Sequence, residues 1–219
     1  MTIRKRDRTR EKLLIAAQEL LLEGGFAALG IQQLTERAEV ALGTIYNYFR
    51  TREEVADAVV EMLTNSFLQA MTKITDGLTD PAEIMSASIR QTLYWMQPHS
   101  EFGRMLFLSG LPMTRYVYQT RQGFHNDMQL GISQGRFKVN QEAVISSMIA
   151  GGVMAVLLDL FLGQVQAEVI ENVAEQALLM LGLSTQEAKH IANLPLDFSH
   201  APLFPLSSIV LLPPFSEAV

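Results

Sequence analysis

The sequence predicts an all-α protein, a three-helix helix-turn-helix head carrying a helical-bundle body. Three observations lead there. Apolar residues recur at three- and four-residue spacing along most of the chain, with no convincing strand ladder. Helix start and stop signals punctuate that pattern at regular intervals. The segment 24–55, GGFAALGIQQLTERAEVALGTIYNYFRTREEV, reads as a helix end, a short second helix, a tight turn, a third short helix and the opening of a fourth.

The first helix is expected over 9–23, with Leu13, Leu14, Ala17, Leu20 and Leu21 as its apolar stripe and Gly24-Gly25 as its stop. Phe26 is then expected to plug the core of the head. The second helix, 31–38, turns Ile31, Leu34 and Ala38 inward. After a turn at 39–42 the third helix, 43–49, buries Ile45 and Phe49. Thr51 is a cap for a long fourth helix over 52–75, with Glu54 at the capping-box position.

In the body, Asp80-Pro81-Ala82-Glu83 is a helix start: a cap, a proline in the first turn, and an acid three residues after the cap. That helix is expected to reach Gln97, because Pro98 cannot continue it. Short and long helices follow over 101–109 and 114–134. Asn140 is expected to cap an apolar helix reaching Gln164, and helices over 167–181 and from Ser184 complete the set. From Leu194 onward, prolines at 195, 202, 205, 213 and 214 among apolar residues predict an irregular tail. The expected domains are thus 1–52 for the head, 53–193 for the body and 194–219 for the tail.

Charge is unevenly placed. The chain carries 17 Lys and Arg against 23 Asp and Glu, a net charge of -6. Residues 1–52 nevertheless hold nine bases and six acids, or +3, which leaves -9 for the remainder. A basic head on an acidic body suits a protein that offers one end to a polyanion. Polar side chains on a short helix with cations at both ends have the chemistry of DNA binding.

Several classes are disfavoured. There is no cysteine, so neither disulfides nor thiolate metal sites arise. His99, His125, His190 and His200 show no metal-ligand spacing, and no glycine-rich phosphate loop or nucleophile–base constellation appears. Neither enzyme chemistry nor a metal or cofactor is expected. The basic first residues lack the apolar core of a signal peptide, which predicts a cytoplasmic protein. The apolar run 143–163 has the length of a membrane span, but it contains Asp159 and lacks cationic anchors. The favoured reading is a central or subunit-interface helix, with a membrane-associated helical protein as the alternative.

The head resembles the tetracycline-repressor (TetR) family of bacterial transcription regulators. The matching text is TREKLLIAAQELLLEGGF, then QLTERAEVALGTIYNYF, then REEV, within residues 8–60. The resemblance implies an all-helical homodimer whose heads bind a double-stranded operator and whose bodies bind a small molecule. Its usual function is repression relieved by an inducer, with activation or effector-free regulation as the alternative.

By position, the resemblance puts Gly43 to Phe49 in the recognition helix. Thr44, Tyr46 and Tyr48 have the chemistry to bond phosphate, and Asn47, Gln32 and Gln33 to read a base edge. Arg52 stands where the family usually has Lys, and Arg50 and the arm residues Arg4, Arg6 and Arg8 supply further cations. The departures are specific. Leu29 and Gly30 replace a Thr-Ser pair, Glu39 replaces the turn glycine, and Ala41-Leu42 replaces Ser-Lys. Phosphate ligands are lost, Leu42 becomes available to a thymine methyl, and more of the binding falls on the arginine arm.

The body is rich in thioethers and rings. Met85, Ile89, Leu93 and Met96 share a helical face, and Trp95, Phe102, Met105, Phe107, Met113, Tyr116, Phe124 and Met128 lie near in sequence. They suit an adaptable apolar pocket for a hydrophobic effector, and equally an ordinary core. Arg90, Arg104, Arg115 and Arg121, with His99 and His125, are the polar groups available to orient such a ligand. Gly152, Ala155, Val156, Asp159 and Gly163 form a small-residue stripe. With Val173 and Ala177 of the next helix they are the expected four-helix seam between two subunits.

Overall fold

The computed structural model describes residues 5–207, apart from the side chains of Lys5 and Arg115. Arg4 and the prolines at 213 and 214 lie outside the described residues. Among those residues all regular structure is helical, which agrees with the all-α expectation. The chain forms two compact units: residues up to 67 with 104–116 and the segment from 202, and residues 68–103 with 117–201.

In the first unit, α1 (Lys5–Ala28) carries Leu13, Leu14, Ala17, Leu20 and Leu21, all buried as the stripe predicted. It begins four residues before the expected start, so Arg6 and Arg8 stand on its first turns and not on an extended arm. Gly24 and Gly25 break its backbone geometry, Gly25 at a φ of 65° that favours glycine. The helical segment beyond them ends at Ala28, and Leu29 follows it. This residue, and not Phe26, is the fully buried plug of the head. Phe26 is only half-buried, and the Arg52 guanidinium lies over its ring at 4.6 Å.

Two short helices complete the head, α2 (Ile31–Arg37) and α3 (Leu42–Ile45). The third helix was expected to run to Phe49. Its last residues instead continue as tight turns, with Tyr48 N–H and Phe49 N–H both donating to the Ile45 carbonyl. Glu39, where the resemblance leads one to expect glycine, takes a φ of 54°. Next, α4 (Arg52–Thr75) starts on the predicted cap. Thr51 Oγ1 accepts the Glu54 N–H at 3.2 Å, and the Glu54 carboxylate reaches back to the Arg50 N–H at 2.7 Å.

In the second unit, α5 (Pro81–Tyr94) is the central element, buried along nearly its whole length. Asp80 caps it by accepting the Ala82 N–H at 2.9 Å. The helix ends three residues before the expected Gln97, passing through a tight Met96-to-Leu93 bond ahead of Pro98. The 101–109 helix is split: α6 (Glu101–Gly103) is followed by a π-helical turn (Arg104–Leu108) that belongs to the first unit.

The remaining helices are α7 (Thr114–Ser133), α8 (Glu142–Phe161), α9 (Ile170–Met180) and α10 (Thr185–Ala192). Asn140 does not cap α8. Gln141 holds that position at a φ of 64°, and its carbonyl accepts the N–H groups of Val144 and Ile145. The start is fixed instead by Glu142, which accepts Gln129 Nε2 from α7 at 2.7 Å. A single 3-10 turn, Ala167–Val169, precedes α9, and Ser184 caps α10 through the Glu187 N–H as its sequence predicts. The described tail is irregular, and its residues 194–201 pack on α5.

Candidate nucleic-acid interface and ligand-binding body

The presentation of α3 follows from two anchors. Ile45 and Phe49 are buried, with Arg10 stacked 5.6 Å from the Phe49 ring. Fixing those two side chains turns the residues between them outward. Leu42 and Tyr46 are each more than half exposed, at 54% and 57%, and Asn47 is exposed. Thr44 and Tyr48 are half-buried. A tyrosine held in the open has no packing reason to be there, whereas its hydroxyl is a natural phosphate donor.

Gln32 and Gln33 of α2, Arg50, and Arg6 and Arg8 of α1 are likewise exposed. Gln32 Nε2 is engaged by Glu36 at 3.0 Å. Arg37 is drawn away from the face: it pairs with Glu19 at 3.2 Å and Glu23 at 2.9 Å, tying α2 to α1. Its guanidinium holds the Glu23 carboxyl below the usual carboxylate range. Arg52 bonds Glu53 at 3.1 Å while stacking on Phe26, so a phosphate must compete with Glu53 for it.

In the body the sequence-selected residues separate. Met85, Ile89, Leu93 and Met96 of the α5 region are buried, as are Trp95, Phe102, Phe124 and Met128, all in the second unit. Met105 and Tyr116 are buried and Phe107 half-buried, but these belong to the first unit, where Tyr116 meets Phe67 edge-on at 5.4 Å. Trp95 Nε1 donates to the Ser199 carbonyl at 2.8 Å, and its ring packs edge-on against Phe102 at 5.3 Å. Its polar end is therefore committed to the tail. Arg104 donates to the Leu22 carbonyl of α1, and Arg121 to Ser147 at 2.8 Å. His99 meets Phe161 edge-on at 5.8 Å. The Arg115 side chain lies outside the described residues.

The sequence reading overlooked Asp127. It sits on α7 between Phe124 and Met128, with the Ser88 hydroxyl of α5 as its partner at a long 3.4 Å. Burial pushes its carboxyl up to about 6. A visible signal existed: Phe124, Asp127, Met128 and Gly131 share one helical face, so an acid interrupts an otherwise apolar stripe.

On α8, Gly152 and Ala155 are exposed and Val156 and Asp159 half-buried. Gly163, expected on the same stripe, instead lies beyond the helix end at Phe161, with a φ of 67°. On α9, Val173 is half-buried and Ala177 buried. Together with Met148, Ile149 and Met180, several of these line a shallow apolar groove of about 270 Å³ between α8 and α9. The Glu142–Phe161 helix is long and apolar enough to cross a membrane by length and composition, and only a third of its most apolar window is buried within the chain.

The family follows from matches to both parts of the chain. Residues 13–59 match the model for bacterial regulatory proteins of the tetR family. Residues 80–194, more than half of the chain, match that for a tetracyclin repressor-like C-terminal domain. The chain belongs to the tetR family of bacterial regulatory proteins. Among its members, the Escherichia coli transcriptional repressor NemR is 36% identical over 66 residues, covering 30% of this chain and 33% of NemR. The repressor NicS of Pseudomonas putida is 30% identical over 105 residues, covering 48% of this chain and 50% of NicS. The matched stretches thus span a third to a half of these curated relatives. The crystal structure of RolR in complex with resorcinol superposes with a TM-score of 0.67 at 28% identity, covering 88% of this chain and 97% of RolR. TetR-family membership thus accounts for the combination of head and helical body.

Proposed function

We propose that this chain is a dimeric DNA-binding transcriptional repressor of the cytoplasm, released from its operator by a small hydrophobic effector. The observation that carries the reading is the outward face of α3. Leu42, Tyr46 and Asn47 are exposed there, while Ile45 and Phe49 fix the helix from behind. Such a helix enters a major groove; Asn47 suits an adenine edge, Leu42 a thymine methyl, and Thr44, Tyr46, Tyr48 and Arg50 the phosphates. The exposed Arg6 and Arg8, with Gln32 and Gln33, extend the same contact.

Effector binding is supported by the buried thioethers and rings of α5 and α7, and by the relation to RolR, whose complex holds resorcinol. Within that cluster the Asp127–Ser88 pair supplies a hydrogen-bonding anchor for a polar group on an otherwise apolar ligand. Two observations favour dimerisation through α8 and α9: the small-residue stripe and the apolar groove beside it. An effector releases the operator only if it binds the DNA-free arrangement of the heads more tightly than the DNA-bound one.

The test is selection of bound duplexes from a randomised library, followed by titration of the selected site at two salt concentrations. Wild-type protein is expected to select an inverted repeat and to bind it more weakly at higher salt. Tyr46→Phe and Asn47→Ala are each expected to weaken binding about tenfold while helical content and dimer mass stay constant. Affinity unchanged in both variants would falsify the assignment of α3 as the reading helix.

A further inference from the structure

A second cleft lies along the face of α5 next to the Met85–Ile89–Leu93 stripe. Glu83, Ser86, Ala87 and Arg90 recur there at three- and four-residue spacing, about a quarter to a third of a turn from the centre of the thioether stripe. With Leu78, Ile191 and Leu194–Leu196 they line a cleft of about 300 Å³ between α5, α10 and the start of the tail.

Arg90 is the uncommon member. Its side chain is only 5% exposed, and a guanidinium is rarely buried without full pairing. One terminal nitrogen donates to the Leu194 carbonyl at 2.8 Å, and the other reaches Glu171 only at 3.4 Å. Its Nε is buried and has no hydrogen-bond partner among the described residues. The Phe198 ring lies 5.4 Å from the guanidinium. Burial lowers the Arg90 pKa, and Glu171 opposes that shift only in part. A buried donor left unmatched in a cleft calls for an acceptor.

We infer that this cleft binds a small organic monocarboxylate, its carboxylate on the Arg90 guanidinium and its apolar part against Leu78, Ile191 and Leu196. The size of the cleft suits a ligand of about ten non-hydrogen atoms. Glu83 on the same wall sets the charge limit: one negative charge is balanced by Arg90, and each further charge on a phosphate or dicarboxylate adds repulsion from Glu83. Because the site includes Leu194 and the adjoining tail, occupancy fixes the tail on α5, and the site is independent of the proposed effector cluster.

Benzoate and its neutral isostere benzamide are the probes, titrated calorimetrically into the full-length protein. Wild-type protein is expected to bind benzoate saturably and benzamide at least about tenfold more weakly, since only the anion gains a charge-assisted bond. Arg90→Gln is expected to abolish the preference. Because Arg90 also holds Leu194, a second variant is needed: Leu196→Trp fills the cleft, leaves the cation in place, and is expected to weaken benzoate about tenfold while the circular dichroism spectrum is unchanged. Absence of saturable benzoate binding overturns the inference. So does equal affinity for the two probes, or benzoate binding that Leu196→Trp leaves intact.

Discussion

Gln91 grips Ser199 with both ends of its amide. Its Nε2 donates to the Ser199 carbonyl at 2.8 Å while its Oε1 accepts the Ser199 N–H, also at 2.8 Å. Gln91 is fully buried, so the amide has no water to fall back on. The first unit repeats the device: fully buried Gln18 accepts the Leu206 N–H at 2.6 Å and donates to the Leu206 carbonyl at 3.0 Å. Each glutamine satisfies the backbone of one residue in an irregular segment, as buried peptide groups require.

Replacing Gln91 with Met keeps the volume and removes both bonds. The expected cost is about 1–2 kcal/mol, because the Ser199 N–H loses its partner while the Ser199 carbonyl keeps Trp95 Nε1. Guanidinium denaturation measures it, and limited proteolysis should show earlier cleavage around residues 194–201. A loss below about 0.5 kcal/mol with unchanged cleavage contradicts this role for the pair.

Asp127 gives the opposite sign. Its carboxyl is raised from 3.8 to about 6 in the folded chain, so the folded state binds the proton more tightly than the unfolded state. The penalty is absent below the unfolded value and grows as pH rises through the folded one. Asp127→Asn is therefore expected to stabilise the ligand-free protein by roughly 1–2 kcal/mol at pH 8, discounted for partial exposure, and to have no such effect near pH 3.5. Thermal unfolding across that range checks it; a destabilised variant at pH 8 assigns the carboxylate a favourable partner instead.

Asp80 combines two tasks. It caps α5 and forms a two-pronged pair with Arg136 at 2.8 and 2.9 Å, while Arg136 also reaches Glu187 of α10 at 2.8 Å. The Arg136 guanidinium holds the Asp80 carboxyl below its ordinary value. Its stabilising effect is thus present above the unfolded pKa and lost as pH falls through the depressed one. Asp80→Asn keeps the cap but loses the charge, with an expected cost of about 1 kcal/mol at pH 7 that fades in acid. A cost independent of pH assigns the effect to the cap geometry.

The head was legible because its signals are local. The Gly24-Gly25 stop, the Thr51 cap and the buried Ile45 and Phe49 each depend on residues a few positions apart, as does the Asp80-Pro81 start in the body. Misreadings arose where a distant partner decides. Phe26 reads as a core aromatic until Arg52 is seen across its ring, and Leu29 reads as a lost phosphate ligand until it is found buried. Asn140 has cap chemistry, but Glu142 bonding Gln129 sets the start of α8. Of the candidate ligand site, sequence yielded the apolar stripe of α5, where periodicity is enough. Asp127 was missed because its partner Ser88 lies on a different helix. The Gln91–Ser199 grip spans more than a hundred residues, and no local pattern encodes it.

The proposed seam along α8 has a test at Gly152, an exposed glycine on the wall of the apolar groove. A Cβ added there meets nothing within 4 Å in the protomer, so a larger side chain has room when the chain is alone. Replacing a mid-helix glycine also favours the helix by roughly 0.5–1 kcal/mol. Gly152→Gln is therefore expected to leave the protomer folded, or slightly more stable, while dissociating the dimer through crowding at the closest approach of the two helices. Sedimentation velocity at micromolar concentration separates the outcomes. A variant that sediments as a monomer with wild-type helical content supports the seam, because intrachain damage would have lowered both. A variant that stays dimeric moves the subunit contact off this stripe. Loss of helical content contradicts the open space around Gly152.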